Sequence, residues 1–431
     1  MEAKSFCGLD FGTSNSTVAL TGAQGVELAA VEGESRTLPS SIFFPFSDGK
    51  PVFGRAAISA YVDGVDGRLM RSLKSVLGTA LMDESVRIKT KTYTFKDIIG
   101  LILGRLKQAA DARAGAEVTR VVLGRPVHFI DDDPAADQRA QDALEEIARA
   151  QGFGEIAFQY EPIAAALAYE RSVREEQYAL IADIGGGTSD FSIVRVSPQA
   201  RTKADRASDV LANKGVHIGG TDIDRLFSLK SVMPHLGLGS EMRLPFADKD
   251  ILVPNGVYVD LATWHRINFL YTPRVARDLE ELARYALAPE KIARLADVVE
   301  SRRGHSVALA VESAKIALSD ADRATIELGD VEKGLALETG ASVLHEAIVD
   351  QLGALTRTLK ETLAASGLGG ERIDAVFLTG GSTAIPAVRN AVTRETPGAR
   401  IVEGDMFGAV GLGLGLDAAR KFGFDDEACA A

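Results

Sequence analysis

The stretch ALIADIGGGTSDFSIV (179–194) decides the fold. Two apolar runs flank a glycine-rich turn, and the only charges are Asp183 near the end of the first run and Asp190 near the start of the second. This reads as strand, turn, strand. An acid at the mouth of an apolar hairpin gains nothing from the core and has to face something that needs it. The segment CGLDFGTSNSTVAL (7–20) repeats the arrangement with Asp10, Gly12, Thr13 and a second apolar run. One explanation has to cover both hairpins.

A turn of Gly, Ser and Thr lets backbone amides approach an anion without obstruction. An aspartate beside phosphate repels it unless a divalent cation stands between them, and Mg²⁺ is commonly held by one or two carboxylates plus phosphate oxygens. The hairpins therefore read as two halves of a clamp around a Mg–polyphosphate. A third turn, LTGGSTAIP (378–386), places Gly380, Gly381, Ser382 and Thr383 between a strand and a helix, whose N-terminus favours negative charge. Ordinary β-turn chemistry accounts for one such turn but poorly for three.

Working outward, TFKDIIGLILGRLKQAADARA (94–114) has helical apolar spacing, and VTRVVLGRP (118–126) is a strand ended by Gly and Pro. ADQRAQDALEEIARAQG is a helix, followed by IAFQY and EPIAAALAYE (161–170). The alternation argues for an α/β fold, and the restart after residue 176 suggests a duplicated unit. Residues 225–305 are less regular, punctuated by Pro234, Pro245, Pro254, Pro273 and Pro289, and hold the only tryptophan among Tyr258, Phe269 and Tyr271. Those aromatics read as the core of an enlarged subdomain or, alternatively, as a partner surface. A strand (ATIEL), a long helix at about 339–366 and a small-residue-rich helix at about 405–421 complete the expected order.

The chain has 431 residues and a formal net charge of −12, with 46% hydrophobic and 25% charged residues. That balance is ordinary for a globular protein and argues against general affinity for nucleic acid or an anionic membrane. Two cysteines, Cys7 and Cys429, rule out a disulfide framework and fit a reducing compartment, with Cys7 a small core residue. The opening MEAKSFCGLDF has no basic and apolar leader pattern, so the expected location is cytoplasmic.

The segments GLDFGTSNSTVAL, EPIAAALAYE, ADIGGGTSDFSI, HIGGTDID, ESAKIALS and LTGGSTAIP stand in the order found in the nucleotide-binding domain of DnaK-type heat-shock chaperones. The chain resembles that family over almost its whole length, weakly within 225–305, and is most similar to its shortened, YegD-like members, which lack the peptide-binding domain. The resemblance implies an actin-like ATPase fold. It has two α/β lobes, each built on a ribonuclease H-like mixed sheet, with a nucleotide cleft between them. The expected division is lobe I at 1–175, lobe II at 176–403, and a helix returning to lobe I plus a tail at 404–431.

Carried over by motif, the resemblance implies that Asp10 and Asp183 hold Mg²⁺ through its water shell. Gly12, Thr13, Ser14 and Asn15 wrap the phosphates of ATP or ADP from one side, and Gly185, Gly186, Gly187 and Thr188 from the other. Lys74, in RSLKSVLG, lies by the γ-phosphate and attacking water. Glu161 positions metal or water, and Asp190 is the second acid of its hairpin. Nucleoside contacts are implied for GGTDID (219–224), with Gly219, Gly220 and Thr221 in it, for Glu312, Lys315 and Ser319, and for GGST (380–383), with Gly380, Gly381 and Ser382 in it and Asp405 nearby. Glu312, Lys315 and Ser319 recur at spacings that share one helix face. Three positions depart from the pattern. Ile316 and Ala384 stand where the family has arginines flanking adenine, and Asn15 replaces an aromatic residue.

The implied activity is slow, Mg-dependent ATP hydrolysis in a chaperone-like protein whose nucleotide state switches lobe closure and is read by a protein partner or co-chaperone. An actin-like filament former is the alternative, and a sugar kinase-like phosphotransferase a third. VGLGLGL (410–416) imitates a dinucleotide fingerprint but follows no strand of a βαβ unit, so close helix packing explains it better. DDDP (131–134) reads as a turn and helix cap. Six scattered histidines offer no zinc spacing.

Overall fold

The computed structural model describes residues 5–22, 25–47, 49–130, 133–203, 205–244, 249–402 and 408–423. In it the two hairpins head two sheets of the same design. The first runs Gly25–Leu28, Asn15–Gly22, Ser5–Phe11, Val118–Arg125, Glu155–Tyr160. The second runs Val210–Val216, Ser189–Val196, Gln177–Ile184, Ala375–Thr379, Arg400–Val402. In both, the first three strands pair antiparallel and the last two join in parallel. The expected duplication is therefore real as geometry. Register places Asp10 opposite Thr17 and Asp183 opposite Asp190, each first-strand acid one residue before its strand ends.

Between the sheets lies the helix Glu161–Glu170, four of whose residues are alanines. Ala164 packs with Val122, Leu414 and Ala418, whereas Ile163, Ala165, Ala166 and Tyr169 pack with Ala179, Ile181 and Phe377 of the second sheet. Its last residue, Glu170, accepts two bonds from the buried Arg206 guanidinium, at 2.7 and 2.9 Å.

The helix Ala409–Phe422 closes over the first sheet and this helix together. A Cβ at Gly413 would lie 1.8 Å from the Ala164 carbonyl oxygen, one at Gly411 2.1 Å from Thr17 Oγ1, and one at Gly8 2.1 Å from the Gly415 nitrogen. The VGLGLGL glycines thus permit backbone-to-backbone approach, as the packing explanation requires.

Smaller elements top each sheet. In the first lobe, Ser41–Pro45, Val52–Phe53 and Gly67–Arg71 form a sheet beside the helix Gly54–Val62. In the second lobe, Gly256–Ala262, Pro273–Tyr285, Pro289–Glu300 and Gly304–Ala317 are helical, with Pro273 and Pro289 in first turns, where a missing N–H costs nothing. Tyr258 is a fully buried core residue, as the core reading expects, but Phe269 is 69% exposed. Cys7 is buried, and burial pushes its thiol pKa up. Cys429 lies outside the described residues. Asp133 caps the helix Pro134–Ala150 by accepting from the Ala136 N–H at 2.9 Å, while 131 and 132 lie outside the described residues. Among the described residues no helix is long and apolar enough to cross a membrane.

One expectation needs correction. The long helix at about 339–366 is a strand, Ala336–Gly340, followed by helices Ala341–Ala347 and Val349–Ser366 that break at Ile348 (φ −114°, ψ 11°). That strand pairs with Arg323–Glu327, and the buried Ile348 side chain turns the chain inward.

Gly413→Ala should destabilise the fold by about 2 kcal/mol or more, since the clash is with backbone. Gly353→Ala, inside the helix Val349–Ser366 with nothing within 4 Å of the new Cβ, should stabilise it by about 0.5–1 kcal/mol. Urea midpoints of the two variants check both signs.

Candidate functional site

The matched hairpins bring their turns to one place. The Gly186 N–H donates to Ser14 Oγ at 3.2 Å, so the two glycine turns touch across the cleft. At Gly12 a Cβ would lie 2.1 Å from the Asn15 carbonyl oxygen, so only glycine closes that turn. Thr13 and Asn15 flank Ser14 on the same rim, and around Gly187 space is open.

The second turn is braced from behind. The Gly220 N–H donates to Gly185 O at 2.9 Å, and Thr221 donates to Gly186 O through both its N–H and its hydroxyl, at 2.8 Å each. Asp222 accepts from the Gly219 N–H at 3.1 Å, while Ser382 Oγ donates to Gly185 O at 3.2 Å. Gly380 adopts a left-handed φ of +81°, and a Cβ there would meet the Ile184 carbonyl at 2.4 Å. Gly219, Gly220, Thr221, Gly380 and Ser382 therefore converge on one turn, with Gly381 exposed at its edge.

Inside this frame lies an excess of acid. Lys74 Nζ donates to Glu161 Oε1 at 2.5 Å. Burial raises the Asp10 pKa to about 7, with Glu161 and Asp183 adding to it and Lys74 opposing. Asp190 rises to about 7 through burial and then through Asp183 and Glu161, against a hydrogen bond from Thr188. Asp183 also rises, from burial and Glu161, against a bond from Thr379. Burial alone would lower Lys74, but Glu161, Asp10 and Asp183 outweigh it and hold the ammonium charged. One cation thus faces four carboxylates. A cavity of about 40 Å³ beneath them is lined by Glu161, Asp183, Asp190, Ser192, Asn213 and Thr379, with room for an ordered water.

Farther along the cleft, Glu312 and Lys315 lie on the helix Gly304–Ala317, and Lys315 Nζ pairs with Asp224 Oδ1 at 2.7 Å. Ser319 falls two residues beyond the helix end, in a turn where its N–H donates to Ile316 O. Ile316 is 59% exposed. Asp405 lies outside the described residues.

Two residues near the cluster, Thr379 and Arg71, escaped the sequence reading. Thr379 is paired in register with Asp183, and its place just before the glycine pair was the available signal. Asp224, inside the segment read for nucleoside contacts, anchors Lys315. Arg71 senses Glu312 and Asp224 across the cleft and has no local sequence signature.

Two ribonuclease H-like lobes whose equivalent turns meet over a shared cleft define the actin-like ATPase fold. The model of the Hsp70 protein family matches residues 6–228 and 280–413, most of the chain, and the chain belongs to that family. ATP binding, ATPase activity and chaperone-type function go with it, and members of the family in general bind nucleotide and co-chaperones. Residues 229–279 fall outside the match.

A carboxyl whose folded pKa lies above its unfolded value favours the fold while protonated and loses that advantage as pH rises, here between about 4 and about 7. Stability of the nucleotide-free chain should fall across that window. Asp190→Asn should raise its melting temperature at pH 8 by several degrees and leave it nearly unchanged at pH 4, as read by scanning calorimetry. Equal melting at pH 8 would show that the acids ionise without cost.

Proposed function

We propose that the chain is a slow, Mg-dependent ATPase whose nucleotide state governs lobe closure and is read by a partner protein in the cytoplasm. The observation that carries this is the juxtaposition of two glycine turns with four carboxylates around Lys74. Buried acids held near neutrality fit a site completed by a divalent cation. In this reading Asp10 and Asp183 would hold Mg²⁺ through its water shell, and the ion would supply neutralisation of phosphate charge.

The remaining work belongs to the chain. Backbone amides of Gly12–Asn15 and Gly185–Thr188 bind the phosphates from the two sides. Lys74 sits by the γ-phosphate and the attacking water, with Glu161 fixing its ammonium. Phosphoryl transfer asks for positioning and charge neutralisation more than covalent chemistry. Glu161 Oε1 is engaged by the Lys74 ammonium and is not free to orient a water, which supports slow turnover. A γ-phosphate held by both turns would draw the lobes together, and its loss would release them.

Calorimetric titration with ATP, ADP and GTP, with and without Mg²⁺, tests the reading directly, and absence of any binding overturns it. Lys74→Ala should lower phosphate release at least tenfold while ADP affinity stays near the parent value. Parent-rate hydrolysis by this variant would displace the proposed centre.

Base selectivity should be loose. Ile316 and Ala384 supply no guanidinium planes, each worth about 1 kcal/mol in stacking and cation–π contact. ATP and GTP affinities within about tenfold of each other are the expected result; strong rejection of GTP would assign recognition to other residues.

A further inference from the structure

The face of the second sheet that meets the helix Glu161–Glu170 changes character over a few residues. Strand alternation and register put Thr379, Asp183, Asp190 and Gly215 in one row across it, and Phe377, Ile181, Ser192 and Asn213 in the row beneath. In the row below that, Ala375, Ala179 and Val194 are fully buried. Ser192 and Asn213 thus place two polar side chains one row under the acids, on a face that is otherwise turning apolar. Asn213 Nδ2 donates to Ser192 Oγ at 2.8 Å, and Ser192 is only 3% exposed.

That one bond leaves capacity over. An asparagine side chain offers two donor hydrogens and an acceptor, and a serine hydroxyl a donor of its own. Among the described residues the Asn213 carbonyl oxygen, its second N–H and the Ser192 hydroxyl proton have no further partner. Such groups are costly in an interior unless water serves them. Both residues line the cavity of about 40 Å³ beneath the acids, whose wall also includes Pro126, Val127 and the exposed His128. Adjacent rows on one face of a strand lie about 6.7 Å apart, a span that two hydrogen bonds through a single water nearly cover. A Cβ at Gly215 would stand 2.6 Å from Asp190 Oδ1, so glycine there leaves the acid its place above the cavity. Glu161 Oε1, the neighbouring acceptor, is already engaged by Lys74.

We propose that Asn213 and Ser192 are a positioning pair, which seats a water beneath Asp190 and through it orients the water that attacks the γ-phosphate. The proposal rests on the nucleotide reading above. In the step served, the attacking oxygen bonds to the γ-phosphorus as the bond to the β–γ bridging oxygen breaks. ADP leaves with that electron pair, one proton of the water stays on the phosphate and the other passes to solvent. Asn213 and Ser192 neither gain nor lose a proton. Their effect therefore falls on the rate of hydrolysis and not on nucleotide affinity.

The test is single-turnover hydrolysis of ATP pre-bound to the full chain, started with Mg²⁺, beside calorimetric titration with ADP. Asn213→Leu, similar in size but without donor or acceptor, should slow hydrolysis at least tenfold and keep ADP affinity within about twofold. Asn213→Ser, which restores a hydroxyl and leaves room for a further water, should stay within about threefold of the parent rate. A pair that served packing alone would favour the leucine variant over the serine one, so that order overturns the proposal. Thermal melting shows whether each variant is folded; if Asn213→Leu does not fold, Ser192→Ala decides, with at least a fivefold loss expected. Hydrolysis at the parent rate by the folded deciding variant overturns the pair while leaving nucleotide binding intact. Failure of the parent to bind or hydrolyse ATP removes the nucleotide reading and the pair together.

Discussion

The separation between the two sheets is set by the thin helix Glu161–Glu170, and the site depends on that separation. Its alanines let the Gly413 backbone reach the Ala164 carbonyl on one side and let the second sheet close on the other. Interiors packed at crystal-like density leave little room for adjustment at such contacts. The same helix is tied at both ends by ion pairs, Glu161 to Lys74 in the first lobe and Glu170 to Arg206 beside the second sheet. It positions the lobes and delivers one of the site's carboxylates in a single element.

The charge at the site follows from that geometry. Equivalent hairpins place equivalent acids at one end of each sheet, so bringing the sheets together concentrates negative charge. Lys74 offsets part of it, and burial makes the remainder costly. Charge buried this way costs stability, and costs of that kind commonly gather at functional sites. The bracing hydrogen bonds from Gly220, Thr221 and Ser382 keep the second turn in shape despite this cost.

Much of this was legible locally. The hairpins announce themselves by alternation and by acids that no core would accept, and the restart at 176 carried over to an identical strand order. The glycines of VGLGLGL were readable as packing because nothing around them suited a nucleotide turn. What the sequence hid depended on distant partners. The strand Ala336–Gly340 looks helical in isolation and is fixed by pairing with Arg323–Glu327. Ser319 continues a helical spacing, yet the helix has already ended. Arg71 carries no motif, because its surroundings arrive from Trp264, Glu312 and Asp224, roughly 150 to 240 positions farther along.

The contact between Gly8 and the Leu414–Gly415 backbone also bears on how the chain is made. The first strand and the helix that covers it are separated by about 400 residues. At typical synthesis rates, roughly 5–20 residues per second, the N-terminal sheet waits on the order of half a minute for its cover. During that time one apolar face, with its parallel strands paired, stands open to solvent or to other chains. Contacts of such long range are also slow to form once available. The first lobe therefore completes its folding only late in synthesis, and the burden of aggregation falls on its exposed sheet until then.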